Sequence, residues 1–462
     1  MNETRTIVDA PAGVVVGTRA GGVRRFLGIP YAEPPVGALR FAAPRRRARL
    51  AEPFVADRHG ATPQRVPLFD RTTIPEPSIP GDDTLTADVF APAEGEGHPV
   101  LVWIHGGGYV GGSPASPWFD GSSFARDGVV VVNVSYRLGI DGFGHLPGAP
   151  HNRGLRDLVV ALEWVRDDIA AFGGDPARVT IAGQSAGGGA VLSLMASPAA
   201  EGLFAGALSV SGVDLSLDAA AARASTEAIA AHLGVTPDAA GFGDRDDGSA
   251  MRAIRGLRDS GALAAPTPLG PVHGDDVLPE PVADALRHRS RGIPLLLGAT
   301  DDEFDGGPTP ENPDRPDPGH PDVVAAKAAG TRVTDSLFRA ACVRAAAARR
   351  DGGAPTWLYA FEWPSPVTGG ATHCIDVPFL FDVLDAEGVV DALGPHAPRS
   401  LATAMHADAV AFVRDGAAGW TAARGVRGDA VRVYAASGVA VTAAGSFDPC
   451  LRHLPARDRE DG

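Results

Sequence analysis

The sequence predicts an α/β fold with a mostly parallel central sheet and helices on both faces. Short valine- and isoleucine-rich runs have the continuous apolar character of strands covered on two sides. They alternate with segments of helical periodicity, the order that builds parallel sheets through helical crossovers. The alternation runs on without a break and no period of 20 to 50 residues repeats, which favours one domain over residues 1–462 with excursions rather than two independent units.

In chain order, Pro99 to Ile104 and Gly128 to Val134 read as buried strands. Leu155, Leu158, Val159, Leu162, Val165, Ile169 and Phe172 fall at three- and four-residue steps, the stripe of an amphipathic helix. Gly173 and Gly174 with Pro176 stop it, glycine supplying a left-handed cap and proline forbidding continuation. Val179 to Ala182 is a further strand, with a helix beginning near Ala186. Strands are expected again at Ala207 to Val210, Pro294 to Leu297, Trp357 to Glu362 and Val431 to Tyr434. The proline-, glycine- and acid-rich stretch from Asp305 through Asp322 reads as an exposed loop.

Composition narrows the function classes. The chain has 462 residues, 44% of them apolar, enough to bury a large core. Its formal charge of −15 argues against nucleic acid as a partner, because phosphate binding needs a basic face. The one basic run, Arg45-Arg46-Arg47-Ala48-Arg49, reads as a solvated loop or a set of ion-pair donors. No basic leader followed by an apolar run opens the chain, and no stretch of about eighteen apolar residues occurs, so neither a cleaved secretion signal nor a membrane span is expected. Cys342, Cys374 and Cys450 are too few and scattered for a disulfide framework or a zinc site, which points to a reducing, cytoplasmic location and no metal.

Two motifs carry chemistry. Gly183-Gln184-Ser185-Ala186-Gly187 matches G-x-S-x-G, a pattern that arises roughly 0.3 times by accident in a glycine-rich chain of this composition. Its setting raises its weight: a β-branched strand precedes it and small residues opening a helix follow, the strand-turn-helix context that thrusts a serine out at the top of a sheet. The second motif is independent. His105-Gly106-Gly107-Gly108 follows a buried strand, and a histidine with three glycines is expected only about 0.03 times by chance. Glycines there let backbone N–H groups of Gly107 and Gly108, with that of Ala186, face a developing oxyanion.

A hydroxyl nucleophile needs a base, and the base an orienting acid, in the chain order Ser, acid, His. Downstream of Ser185, Asp301, Asp302 and Glu303 follow a predicted strand, and pattern alone does not choose among them. Five histidines lie beyond: His320, His373, His396, His406 and His453. His373 follows a strand and a turn, the placement of a catalytic loop. Tyr109, Trp118 and Phe119, near the glycine loop, line a substrate pocket or belong to the core.

These residues, with others, resemble the type B carboxylesterases, the α/β-hydrolases that include cholinesterases and bacterial para-nitrobenzyl esterases. Phe26 to Gly37 followed by Leu39-Arg40-Phe41 is similar to the family's opening segment. Asp82 to Val89 resembles its E-D-C-L-x-L-N-V element, and Asn133 to Gly139 with Gly142-Phe143 its N-Y-R-L-G-x-x-G-F stretch. Asn152 to Asp157 and Ala170 to Pro176 lead on into the serine motif. The resemblance implies Ser185 as nucleophile and Gly107, Gly108 and Ala186 as oxyanion donors. It also implies Glu303 as the acid, since Gly298 to Glu303 is similar to G-x-x-x-D-E, and His373 as the base, since His373 to Phe381 is similar to H-x-x-[DE]-x-x-F-x-F.

The implied activity is hydrolysis of small-molecule carboxylic esters through an acyl-enzyme, with no metal or organic cofactor. The same residues would serve on amide, carbamate or lactone bonds or in acyl transfer to an alcohol. A non-catalytic binding protein on this scaffold is disfavoured because every triad element is present. The departures are specific. Thr84 and Thr62 stand where the family has a disulfide, in keeping with a cytoplasmic location. Phe304 replaces the glycine that commonly follows the acid, Gln184 replaces a glutamate before the serine, and the interval between about 304 and 372 is short, which implies a trimmed cover over the site. The loop from His59 to Pro80 has only Phe69 as an aromatic, which argues against a quaternary-ammonium substrate. Oligomeric state is not readable.

Overall fold

A computed structural model of the chain describes residues 3–63, 72–243, 245, 247–260, 268–304, 321–436, 440–444 and 446–458. Phe69, His320 and most of the proline-rich stretch after Phe304 lie outside them.

The strands are β1 (Thr4–Ala10), β2 (Gly13–Ala20), β3 (Val23–Pro30), β4 (Phe54–Val55), β5 (Thr86–Pro92), β6 (His98–Ile104) and β7 (Val130–Val134). They continue with β8 (Gly174–Gln184), β9 (Gly206–Val210), β10 (Leu295–Thr300), β11 (Thr356–Phe361), β12 (Ala430–Tyr434) and β13 (Ala440–Ala444). They form one sheet in the order β1-β2-β3-β5-β7-β6-β8-β9-β10-β11-β12-β13, with β4 beside β2. From β7 to β12 every pairing is parallel; β1, β2, β3 and β5 join antiparallel at one edge, and β13 at the other. The predicted parallel centre is therefore present, and the antiparallel N-terminal edge is an addition.

Within the parallel centre successive side chains enter different cores. Val100, Val102 and Ile104 face one apolar cluster, Leu101 and Trp103 the other. The helix Arg153–Asp168 and the helix Ala186–Ala196 pack in the first, and Arg399–Asp415 in the second. Both faces are covered, as continuous apolar strands require. The predicted amphipathic stripe lies on Arg153–Asp168, and Gly173 at φ 89° ends the 3-10 turn that follows it. The basic run resolves as ion-pair donors: Arg46 to Asp167 at 2.7 Å, Arg47 to Asp83 at 3.3 Å and Arg49 to Asp9 at 2.7 Å.

Between 321 and 372 the chain forms a helix at Pro321–Val333, a π-helical turn at Thr334–Arg339 and a helix at Ala340–Arg349 before β11. Cys342, Cys374 and Cys450 are all free. Thr62 and Thr84 are buried, and Thr62 hydrogen-bonds to Ile79 instead of bridging covalently. Among the described residues no helix is long and apolar enough to cross a membrane.

Candidate active site

Parallel pairing brings the C-terminal ends of β6, β8, β9, β10 and β11 to one edge of the sheet, and each end carries part of a polar cluster. Ser185 follows β8 directly, with φ 58° and ψ −122°, a conformation that costs a non-glycine residue about 1–3 kcal/mol unless its surroundings hold it. Two hydrogen bonds hold it here: Ser185 N–H donates to Val210 O at 2.9 Å, and Gly189 N–H donates to Ser185 O at 2.9 Å. The flanking glycines are required by space. A Cβ on Gly187 would stand 2.1 Å from Ile104 O, and one on Gly183 would stand 2.5 Å from Gly187 itself.

His373 faces this serine from the loop after β11. Its Nε2 lies 2.9 Å from Ser185 Oγ, and its Nδ1 hydrogen-bonds Glu303 Oε2. With Nδ1–H donated to the carboxylate, Nε2 presents a lone pair to the serine hydroxyl. Glu303 is fully buried and its second oxygen accepts from Thr300 N–H at 2.9 Å. The backbone reinforces the pair, as His373 N–H donates to Glu303 O at 2.8 Å.

The three consecutive carboxylates point to three different partners. Asp301 pairs with Arg339, Asp302 accepts from Ala371 N–H at 3.1 Å and so pins the histidine loop, and Glu303 alone reaches the imidazole. The other downstream histidines are elsewhere: His406 is buried between Leu380 O and Asp127, and His396 is exposed.

Burial disfavours the imidazolium form of His373, and the adjacent Cys374 sulfur and the Glu303 carboxylate more than offset that, so its pKa stands well above the ordinary histidine value. Burial raises the Cys374 thiol. Asp376, buried and accepting from Tyr359 O–H at 3.1 Å, is pushed up to about 7 by burial and then by the charge of Glu303.

The glycine loop after β6 packs on the serine turn. A Cβ on Gly106 would meet Gln184 O at 2.7 Å and Ser185 Cβ at 3.0 Å, so the loop is seated where only glycine fits. Gly107 and Gly108 have φ of 116° and 62° and are partly open. Among the described residues no backbone carbonyl accepts from their N–H groups, while Gly107 O accepts from Val110 and Gly111. His105, which precedes them, is buried, stacks on Tyr136 at 4.7 Å and bonds Gly106 O at 2.8 Å. Burial lowers its pKa to about 4, so it serves the loop as a neutral strut.

The pocket reading of the three aromatics needs correction. Trp118 and Phe119 lie in the core, Phe119 5.5 Å from Trp103 and 6.0 Å from Phe381, and Trp118 Nε1–H donates to Glu387 O at 3.0 Å. Tyr109 is likewise shut in, its ring 4.7 Å from Phe143. With essentially no surface open to water they have none to offer a substrate. The aromatic rings beside His373 are Phe304 and Phe338, at 5.5 Å and 5.1 Å. Phe304 was visible in the sequence as a departure after the acid; Phe338, on the π-helical turn, gave no signal.

A profile described as the carboxylesterase family matches residues 4–314. The chain belongs to the carboxylesterase family. It is 34% identical to a para-nitrobenzyl esterase of Bacillus subtilis (strain 168) over 83% of this chain and 84% of the relative. It is also 34% identical to the phenmedipham hydrolase of Pseudarthrobacter oxydans over 89% and 90%. A solved PNB esterase superposes with a TM-score of 0.83 at 30% identity, covering 98% of this chain and all of the other. The carboxylesterase chain thus has the α/β-hydrolase fold, and it is a carboxylic ester hydrolase. Among the described residues no group of three or more His, Cys, Asp or Glu side chains is arranged to hold a metal ion.

Proposed function

We propose that this carboxylesterase cleaves its substrates through an acyl-enzyme on Ser185, with His373 as general base and acid and Glu303 as the orienting carboxylate. The observation that carries the reading is the contact of Ser185 Oγ with His373 Nε2 at 2.9 Å while the other ring nitrogen is held by buried Glu303. His373 takes the hydroxyl proton as Oγ attacks the carbonyl carbon, and Glu303 stabilises the imidazolium that forms. The carbonyl oxygen gains its negative charge against the N–H groups of Gly107, Gly108 and Ala186. Collapse of the tetrahedral intermediate expels the alcohol, which takes the proton from Nε2. Water, activated by the same nitrogen, then releases the acid and restores the serine.

The acceptor and bond type follow from the substrate, not from these residues. Relatives are named for a para-nitrobenzyl ester activity and for phenmedipham, so a panel of p-nitrophenyl esters beside amide and carbamate analogues defines the range. Covalent labelling by a fluorophosphonate tests the nucleophile: the wild type is labelled and loses esterase activity, and Ser185→Ala is not labelled. Labelling that survives the substitution overturns the assignment.

A further inference from the structure

A second basic run, Arg287-His288-Arg289-Ser290-Arg291-Gly292, precedes β10 and has no part in the ester chemistry. From His288 to Ile293 the segment lines a cavity of about 430 Å³, whose other walls include Met195, Glu201 and Gly202. Ser185 stands at the start of the helix Ala186–Ala196 and Met195 near its end, so about ten residues of helix, roughly 15 Å, separate the cavity from that serine. Ile293 likewise stands before β10, and Glu303 follows that strand. The cavity therefore lies at the edge of the sheet opposite the ester site.

Its loop is rich in free donors. The N–H groups of Ser290, Arg291 and Gly292 have no acceptor among the described residues, whereas the carbonyls of Ser290, Arg291 and Ile293 are all engaged. Successive free N–H groups around a residue of positive φ, here Ser290 at 48°, make the concave arrays that hold anions. Ser290 Oγ–H donates to Met195 O at 2.6 Å and ties the loop to the helix end. Buried Arg349 donates to Thr356 Oγ1 and to the carbonyls of Ser290 and Ile293, with no carboxylate among its partners, so a full positive charge stands behind the loop. Arg291 is exposed, and one N–H of its guanidinium goes to Asp351 O at 2.5 Å while the rest of the fork stays free. His288 and Arg289 share Glu280, at 3.0 and 3.7 Å, and Glu201 is the one carboxylate on the wall among the described residues. Three guanidiniums against these two carboxylates leave a local positive excess in a chain of net charge −15.

We propose that this cavity binds the phosphate group of a small phosphomonoester, at a site separate from the one that cleaves esters. A phosphate brings three terminal oxygens and uses a backbone array and a guanidinium fork together; a carboxylate, with two oxygens in one plane, leaves donors unmet. One water takes roughly 30 Å³, so the cavity holds more than a bare anion, and the esterified part of the ligand has room toward the exposed rim at Gly202 and Gly292. The positive excess is confined to a cavity instead of spread over a face, which suits a small molecule and not a nucleic acid.

The test is isothermal titration of the whole enzyme with glycerol 2-phosphate, inorganic phosphate and benzoate, before and after fluorophosphonate has closed the ester site. In the closed enzyme glycerol 2-phosphate is expected to bind at one site, at least as tightly as inorganic phosphate and at least about tenfold more tightly than benzoate. Arg291→Ala removes the free fork and should weaken glycerol 2-phosphate at least about tenfold, with ester hydrolysis and the thermal midpoint unchanged. Arg291→Lys keeps the charge without the fork and should fall between the two. No binding at about 10 mM ligand, benzoate bound as tightly as glycerol 2-phosphate, or an affinity unchanged in Arg291→Ala each overturns the proposal. So does binding that disappears when fluorophosphonate closes the ester site, since the anion then sits there. Inorganic phosphate bound with glycerol 2-phosphate excluded overturns it as well, because the cavity then takes a free ion.

Discussion

The side-chain amide nitrogen of Gln184 stands 3.2 Å from His373 Nε2, the ring nitrogen that also receives Ser185 Oγ at 2.9 Å. The same amide lies 3.0 Å from Cys374 Sγ. An amide N–H directed at Nε2 shares the lone pair of the neutral imidazole and opposes the proton of the charged one. As the proposed base His373 acts only when neutral, so kcat/KM is expected to fall as pH drops through its pKa, which lies above 6.5. Gln184→Glu replaces that donor by a negative charge, stabilises the imidazolium and raises this pKa further. The acid limb of the pH profile should move to higher pH by about one unit. A limb that stays in place or moves down shows that Gln184 does not act on the base.

The glycine loop gives a second expectation. At Gly107 a methyl group would come within 2.1 Å of Gly111 O, at a φ of 116° that side chains avoid. Gly107→Ala must therefore displace the loop, and with it the N–H proposed to face the reacting carbonyl. Loss of one oxyanion donor lowers kcat by about 10²–10³ with a smaller effect on KM. Steady-state kinetics beside the circular dichroism spectrum separates this from unfolding, and a variant within fivefold of wild type removes Gly107 from the oxyanion hole.

How much of this was legible in the sequence depends on the range of the rule involved. The Ser185 turn and the Gly106 to Gly108 loop are each contiguous runs, so their residues declare themselves within five positions, although the atoms that exclude a side chain at Gly106 and Gly187 belong to the opposite segment. Which of Asp301, Asp302 and Glu303 meets the imidazole depends on where three successive side chains of one turn point. The residues alone left that open, and only the resemblance favoured Glu303. Trp118 and Phe119 beside the glycine loop were equally fit for pocket or core, because their partners Trp103, Phe381 and Glu387 come from distant strands and loops. The strands β1 and β2 escaped for a related reason: Val14-Val15-Val16 is a continuous run, yet only Val15 of the three is fully buried, and antiparallel pairing decides which.

Stability should hinge on the buried ion pair of Arg137 and Asp157. Arg137 donates from its backbone and guanidinium to Asp157, with Nη2 at 2.7 Å, and from Nη1 to the carbonyls of Arg40 and Ala42 at 3.0 and 2.7 Å. Both side chains are closed to solvent. Asp157→Ala leaves the guanidinium buried without its counter-charge and should cost about 3–5 kcal/mol in urea unfolding. Adding Arg137→Met should recover part of that loss. A double variant less stable than Asp157→Ala alone contradicts the account.

The three carboxylates after β10 make the last expectation a comparison within one turn. Glu303 is buried, bonded to His373 Nδ1 and fixed by Thr300 N–H, so Glu303→Gln keeps the shape and removes the charge that holds the imidazole in its working tautomer. The expected loss in kcat is about 10³–10⁴. Asp301 is engaged with Arg339 and its side chain is 43% exposed, so Asp301→Asn should stay within about threefold of wild type. Asp302 lies between these cases. It touches no reacting group, yet its bond to Ala371 N–H fixes the segment that carries His373. Asp302→Ala should lower kcat about tenfold by loosening the base, the net value of one hydrogen bond to a charged group, while Asp302→Asn, which keeps an acceptor oxygen, recovers most of it. Because Asp302 acts on position and not on charge, its variants should leave the acid limb of the pH profile where it is. A Glu303→Gln enzyme retaining a tenth of wild-type turnover would show that a neighbouring carboxylate takes over, and the order Glu303, Asp302, Asp301 would then fail.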